Sequence, residues 1–460
     1  MKKSLIVVFI LTFCASCGEK KSDEKVPEEP TMENVKLMTL DPGHFHAALV
    51  QKTMYPQVDS TIHVFAPEGP EVQDFLSKIE QYNSRSENPA AWKVNTHISN
   101  DYLQEMLTQK PGNVMVVAGK NSKKIDYIFE AVKAGLNVYA DKPLVINPEG
   151  FSKLKEAFEV AEKNGVMIYD IMTERFESTT MMQKKFSELP AVFGELVDGT
   201  PEEPAISKES IHHFFKYVSG KPLVRPAWFF DVNEEGEGIV DVTTHLVDLV
   251  QWEAFPGQII DSADVKMLKA KRWPTILTKE EFAKVTKLSE YPSYLEKDII
   301  NGKLHTYSNG EMTYKIRGKH AKVSVIWNYQ APEGTGDTHY SIMRGTKCDL
   351  IIKQGAEENF KPVLYIQPTI KSPFDDVLQS AVDKEIQELF PGTTTEKMTN
   401  GLWKINIPDK FKIGHEAHFA QVTENYLKYL EAGALPEWEI PNMITKYYTT
   451  IAGLKMAKEE

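Results

Sequence analysis

Apolar and polar positions alternate along this chain in two different rhythms, and the change of rhythm divides it. From residue 35 to about 170, short apolar runs end in polar turns and are followed by segments with apolar residues at helical spacing. Val35 to Leu40 reads as a first buried strand, running into a turn and helix start at Asp41-Pro42-Gly43-His44-Phe45-His46. Thr61 to Glu68 reads as a second strand, and Asn113 to Asn121 as a central one. A helix marked by Ile125, Ile128, Phe129 and Val132 stops at Gly135, and Leu136 to Ala140 is the next strand. A helix over Phe151 to Asn164, Gly165 and a strand over Val166 to Tyr169 complete the array. This alternation predicts an α/β fold with a doubly wound parallel sheet, whose ligands sit at the carboxyl ends of the strands.

Beyond Phe176 the rhythm becomes that of an antiparallel sheet. Glu195 to Val197, Leu304 to Tyr307, Met312 to Ile316, Ala321 to Trp327, Thr338 to Met343 and Asp349 to Ile352 read as strands. Turns are expected at Asn309-Gly310, Gly318 and Gly345-Thr346. Phe374 to Phe390, Ala417 to Ala432 and Ile440 to Lys455 read as helices, and the rest of 369–412 is left open. The expected organisation is therefore a Rossmann domain over 34–175 and an α+β domain, with a largely antiparallel sheet, over 176–460. Such a sheet offers a face to a second copy, so a homo-oligomer is expected.

One stretch stands out, Gly236 to Trp252. A Gly-rich turn opens a helix with Val242, Leu246 and Leu249 on one stripe and Asp241, His245 and Asp248 on the next. An imidazole one turn from a carboxylate has the makings of a proton-transfer site.

Composition narrows the class. Of 460 residues, 42% are hydrophobic and 26% charged, which is ordinary for a folded soluble chain. A net charge of −12, without a dense Lys/Arg run, argues against nucleic acid as a partner. Lys2 and Lys3 precede a short apolar segment, Leu5 to Phe13, and then Cys14-Ala15-Ser16-Cys17. That box resembles a bacterial lipoprotein cleavage site: residues 1–17 would be the signal, Cys17 the lipidated residue and 18–33 a flexible tether. Gly18 fits sorting to the outer membrane, facing the periplasm or the cell surface, with the anchor as the sole membrane contact. Cys348 is then the one thiol left in the folded part, so a disulfide framework or a Cys zinc site is not expected. His415 and His418 lie at i, i+3 without an evident third ligand, and no metal site is assigned.

The run from Val116 to Pro143, ending Asp141-Lys142-Pro143, and the later Gly236-x-Gly238-x-x-Asp241-x-x-x-His245 resemble two motifs of the Gfo/Idh/MocA oxidoreductase family in the family's order. The resemblance implies hydride transfer between a sugar carbon and a nicotinamide cofactor. Lys142, Asp241 and His245 would be catalytic: His245 as general base, Asp241 positioning ring or substrate, Lys142 steadying the alkoxide. The cofactor, NAD or NADP with NAD favoured, would be tightly bound by Gly43, His44, Phe45, His46, Glu68, Ala118, Asn121, Asp141 and Lys142. One glycine survives of the three in the usual phosphate loop.

His213, Lys216, Arg225 and Trp228, aromatics interleaved with cations, together with Asp248, are expected at the substrate. Three functions stay open: an oxidoreductase on a sugar or glycoside, perhaps oxidising C3 within a redox-neutral glycoside-cleaving cycle; a carbohydrate-binding lipoprotein on an inactive scaffold; and a keto-sugar lyase or epimerase.

Overall fold

A computed structural model of the chain describes residues 35–218, 221–370 and 373–459. The signal segment, Cys17 and the tether lie outside the described residues. No helix among the described residues is long and apolar enough to cross a membrane.

The first half is a six-stranded parallel sheet in the order β3-β2-β1-β4-β5-β6. Its strands are β1 Leu37–Leu40, β2 Thr61–Ala66, β3 Lys93–Ile98, β4 Val114–Val117, β5 Asn137–Asp141 and β6 Ile168–Ile171. The fully buried runs of β1, β4 and β6 and the buried centre of β5, Val138 to Ala140, are mostly apolar because both faces are covered. The order reverses beside β1, which puts the crevice of a doubly wound fold at the β1 and β4 carboxyl ends.

Local chemistry sets the helix limits. Helix α5, Pro148–Asn164, begins at Asn147, whose side chain accepts a hydrogen bond from Gly150 N at 2.7 Å, and ends at Gly165 with φ +66°. The earlier helices are α1 His46–Leu49, α2 Pro70–Ser84, α3 Tyr102–Gln109 and α4 Asn121–Lys133. Helix α1 is a single turn. The helix 415–432 packs beside it and covers the sheet face with Phe419, Val422, Tyr426 and Leu427. The ring of Tyr426 stacks on Tyr139 at 4.7 Å and on Tyr169 at 5.6 Å.

The second sheet has ten strands and is mixed. Strand 206–215 lies near its centre, parallel to 319–330 and antiparallel to 338–344. Sequence patterning missed this strand beneath the aromatic and cationic residues of 210–217, and it also missed strand 265–277. The turns at Gly318 and Gly345-Thr346 are present. Asn309-Gly310 is not a turn. It lies inside one continuous strand, Lys303–Ile316. Asn309 bonds to Trp273 O, to Thr275 and to Trp327 N, while Gly310 makes room for Ile239: a Cβ there would lie 2.8 Å from the Ile239 Cβ. Gly238 presses just as closely on Ser308, so these glycines serve the approach of the 236–242 turn to the sheet. The segment 374–389 is helical, as expected.

A buried ionic network ties the halves together. Arg175, just after β6, makes a forked pair with Asp248, both contacts 2.7 Å, and also reaches Glu439 at 2.8 Å. Lys446 bridges Asp248 at 2.9 Å and Asp170 at 2.7 Å, and the Tyr447 hydroxyl donates to Asp170. Asp248 is therefore a structural anchor, its carboxylate already held by two cations, and is not placed to touch a substrate as expected from its helical stripe.

Candidate active site

Four backbone ends meet at the crevice. After β1, Asp41 takes φ +45°, its carboxylate accepting hydrogen bonds from Tyr127 and Tyr102. The amides of Gly43 and His44 both donate to Ala118 O at 3.1 Å. Gly43 lies against Gly119 and the Trp228 ring. The turns after β1 and β4 are thus fastened to each other, and the two turn amides that precede α1 are not free for a diphosphate.

Strand β5 delivers Asp141 and Lys142. Asp141 accepts from His46 Nδ1 at 3.0 Å, and His44 Nδ1 lies 3.4 Å from the same oxygen. Burial pushes the Asp141 carboxyl up, but His46, His44 and Lys124 more than offset it and hold the group well below the usual carboxylate range. Burial likewise keeps His44 and His46 neutral. Lys124 donates to Asn121, Asp141 O and Pro143 O, stapling the strand end to α4, and burial lowers its pKa to about 8. Asn121 donates in turn to Glu235, whose carboxyl is raised well above its ordinary value by burial and by Asp241.

The second domain supplies the other wall. Lys142 Nζ meets Asp241 Oδ1 at 2.5 Å, with both side chains about nine-tenths buried. Burial works against the ammonium, but Asp241 and Asp141 outweigh it and raise the Lys142 pKa, so it remains charged. Asp241 lies before the helix 243–254, not within it, and this turns its carboxylate to Lys142. The expected Asp241–His245 pairing is replaced by Asp241–Lys142. His245 Nδ1 is buried without a hydrogen-bond partner among the described residues. Burial first, and the Lys142 charge second, push its pKa down to about 4, so the ring is neutral at physiological pH.

Glu174, one turn past β6, was not expected here. His415 Nδ1 lies 3.5 Å from it, and although burial opposes the charge, the imidazoles of His415, His245 and His418 hold the carboxyl below its usual range. Its position past the carboxyl end of a strand was the available signal.

Of the remaining expected residues, Arg225 is buried between Phe229 and Trp327 and donates to two backbone carbonyls, and its charge reaches His44. His213 and Lys216 pair with Asp337 at 3.0 and 2.5 Å. The rings of Phe45, His44 and His46 pack against one another, with His44 and His46 edge to face at 4.1 Å. Glu68 is exposed beyond the end of β2.

A nicotinamide and a polar substrate suit this crevice at the Lys142 end. Trp228, whose ring lies on Gly43, and His245, within reach of the Lys142 charge, bear buried polar atoms (Nε1 and Nδ1) that no group among the described residues satisfies. A doubly wound sheet with a cation and a neutral imidazole at its carboxyl edge defines a nicotinamide-dependent oxidoreductase by fold and site.

Comparison with known proteins agrees. Residues 182–458 match the family described as "Putative oxidoreductase C terminal domain", and residues 43–170 match "Oxidoreductase family, NAD-binding Rossmann fold", the Gfo/Idh/MocA group. The chain belongs to the Gfo/Idh/MocA family of NAD(P)-dependent oxidoreductases and carries this C-terminal domain. The crystal structure of a "putative oxidoreductase" from Parabacteroides merdae is 52% identical, with a TM-score of 0.90 over 93% of this chain and 98% of that one. Levoglucosan dehydrogenase in its apo form is similar at a TM-score of 0.60 and 11% identity, covering 93% and 97% of the two chains. The WlbA dehydrogenase from Bordetella pertussis, in complex with NADH and UDP-GlcNAcA, is similar at 0.53 and 13%, covering 93% and 96%. These last two likenesses are of fold. No curated protein matches the chain.

Proposed function

We propose that this protein oxidises a hydroxyl of a sugar or glycoside, and that it does so as an envelope lipoprotein anchored through Cys17, keeping its cofactor bound. The observation that carries the reading is the meeting of Lys142 from β5 with Asp241 and His245 from the second domain. When bound, a nicotinamide accepts the hydride; Lys142, His245 and Trp228 would line its ring end. The substrate hydroxyl gives its proton to the unpaired His245 Nδ1 while the Lys142 ammonium, fixed by Asp241, steadies the growing alkoxide. Burial, and with it the Lys142 charge, lowers the pKa of the imidazole to about 4, and that charge also makes the substrate hydroxyl easier to ionise, so His245 holds the proton weakly and returns it readily. That suits a redox-neutral cycle in which the sugar is oxidised, a bond is cleaved and the ketone is reduced again. Two structures of similar fold, levoglucosan dehydrogenase and the WlbA dehydrogenase with UDP-GlcNAcA, support a sugar-like substrate. An NAD preference and a homo-oligomer built on the second sheet complete the proposal.

The test is mass spectrometry of the purified protein for bound nicotinamide, followed by product analysis with aryl glycosides and either cofactor. Turnover that survives Lys142→Met and His245→Ala would refute it. A keto-sugar lyase or epimerase is the second reading, favoured by the fastening of the Gly43 and His44 amides to Ala118. It predicts consumption of a keto-glycoside without any change in nicotinamide absorbance.

A further inference from the structure

We infer that His44, His46 and Asp141 form a binding site for a divalent transition metal beside Lys142. Each residue presents one ligand atom, and these atoms all lie within 4.8 Å of one another. The two His Nδ1 atoms stand 3.0 and 3.4 Å from the same Asp141 oxygen. Ligands about 2.1 Å from a zinc-like ion sit about 3.4 Å apart in a tetrahedron and about 3.0 Å apart in an octahedron. The two His–Asp141 separations match those edges.

A hydrogen-bond account covers just part of this geometry. His46 satisfies its Nδ1 on Asp141, but His44 Nδ1 is buried, points at the same carboxylate, and makes no hydrogen bond among the described residues. Two imidazoles and one carboxylate, with further positions open, favour zinc, cobalt, iron or manganese over calcium or magnesium. The nearby charges of Lys142, Arg225 and Lys124 oppose the ion, and Asp241 offsets that of Lys142. The sequence hides the set because its third ligand lies 95 residues further along the chain. The inference goes beyond the oxidoreductase reading and does not rest on it.

The experiment is titration of the chelator-stripped protein with Co²⁺ and Zn²⁺, by visible absorption and calorimetry. The expected result is one ion per chain, with cobalt d–d bands of an N/O site. His44→Ala should weaken binding by more than the roughly 10- to 100-fold that a ligand's outer hydrogen-bond partners carry. Circular dichroism and a melting curve of His44→Ala show that the weakened binding is read from a folded chain. His97→Ala is the control, because His97 lies 3.3 Å from His63 in a separate half-exposed pair, and it should bind as the wild type does. Failure to bind either ion at millimolar concentration, unchanged affinity in His44→Ala, or loss in His97→Ala would each overturn the site. Bound nicotinamide is read separately, so a protein that holds cofactor but no metal would sink this inference alone.

Discussion

Replacing Lys142 with methionine separates what the residue holds together from what it does. The ammonium and the Asp241 carboxylate are about nine-tenths buried and meet at 2.5 Å, so deleting one charge strands the other out of water. Breaking such a pair from one side costs about 3–5 kcal/mol. Removing both charges with near-isosteric neutral side chains leaves no stranded ion, and Lys142→Met/Asp241→Asn should lie within about 1–2 kcal/mol of the wild type. Catalysis follows a different rule. Loss of a fixed positive donor at a developing alkoxide is expected to lower turnover by about 10²–10³-fold, in the single and the double variant alike. Urea unfolding followed by circular dichroism gives the first quantity, and initial rates with the sugar the wild type turns over give the second. Stability restored without activity is the predicted pattern. Additive stability losses would show that the pair is not coupled. Recovered turnover in the double variant would remove Lys142 from the chemistry.

His245 should titrate near pH 4 in a histidine NMR experiment, so the acid limb of the rate profile lies below pH 5. Because its folded pKa is depressed, the folded protein binds fewer protons than the unfolded chain between about pH 4 and 6.5, and stability from this group falls as the pH drops through that window. A limb at pH 6.5 would refute this. Asp248→Asn should destabilise by about 3–5 kcal/mol, since Arg175 and Lys446 lose their shared buried anion, with KM unchanged; a raised KM at full stability would return Asp248 to the substrate. Gly238→Ala, whose Cβ would lie 1.8 Å from Ser308 O, should cost above about 4 kcal/mol and fail to accumulate. Gly43→Ala has ordinary contacts of 3.4 and 3.5 Å and should fold and retain cofactor, unlike a glycine that cradles phosphate.

The parts of the fold legible in the sequence were those where one local rule acts alone. Buried parallel strands announce themselves as apolar runs, and β4 and β5 lay within a residue or a few of their expected limits. Asn309-Gly310 misled because a hairpin signal and a close-packing glycine look alike in one dimension; the partner that decides between them, Ile239, is far away in sequence. Strand 206–215 was hidden because it carries His212 and His213 side by side, which suggested binding before they suggested pleat. In the site, Lys142 and His245 were legible through motif chemistry. The Asp241–Lys142 and Arg175–Asp248 pairings were not, because a carboxylate on a helical stripe can turn to any cation the tertiary fold brings near.

The shortened phosphate turn and the C-terminal helix explain each other. A one-turn α1 cannot cover the sheet face above β5 and β6, where Tyr139 and Tyr169 would otherwise meet water. Helix 415–432 fills that place, and its ring stack through Tyr426 contributes about 0.5–1.5 kcal/mol per aromatic pair beyond the area buried. The same docking carries the helix's first turn to the crevice, setting His415 against Glu174 and against the His46 ring. A truncation at residue 414 would therefore remove more than a C-terminal helix pair. It would expose the Rossmann sheet and remove the His415 and His418 imidazoles from Glu174 in one step, so loss of solubility and loss of the site should coincide.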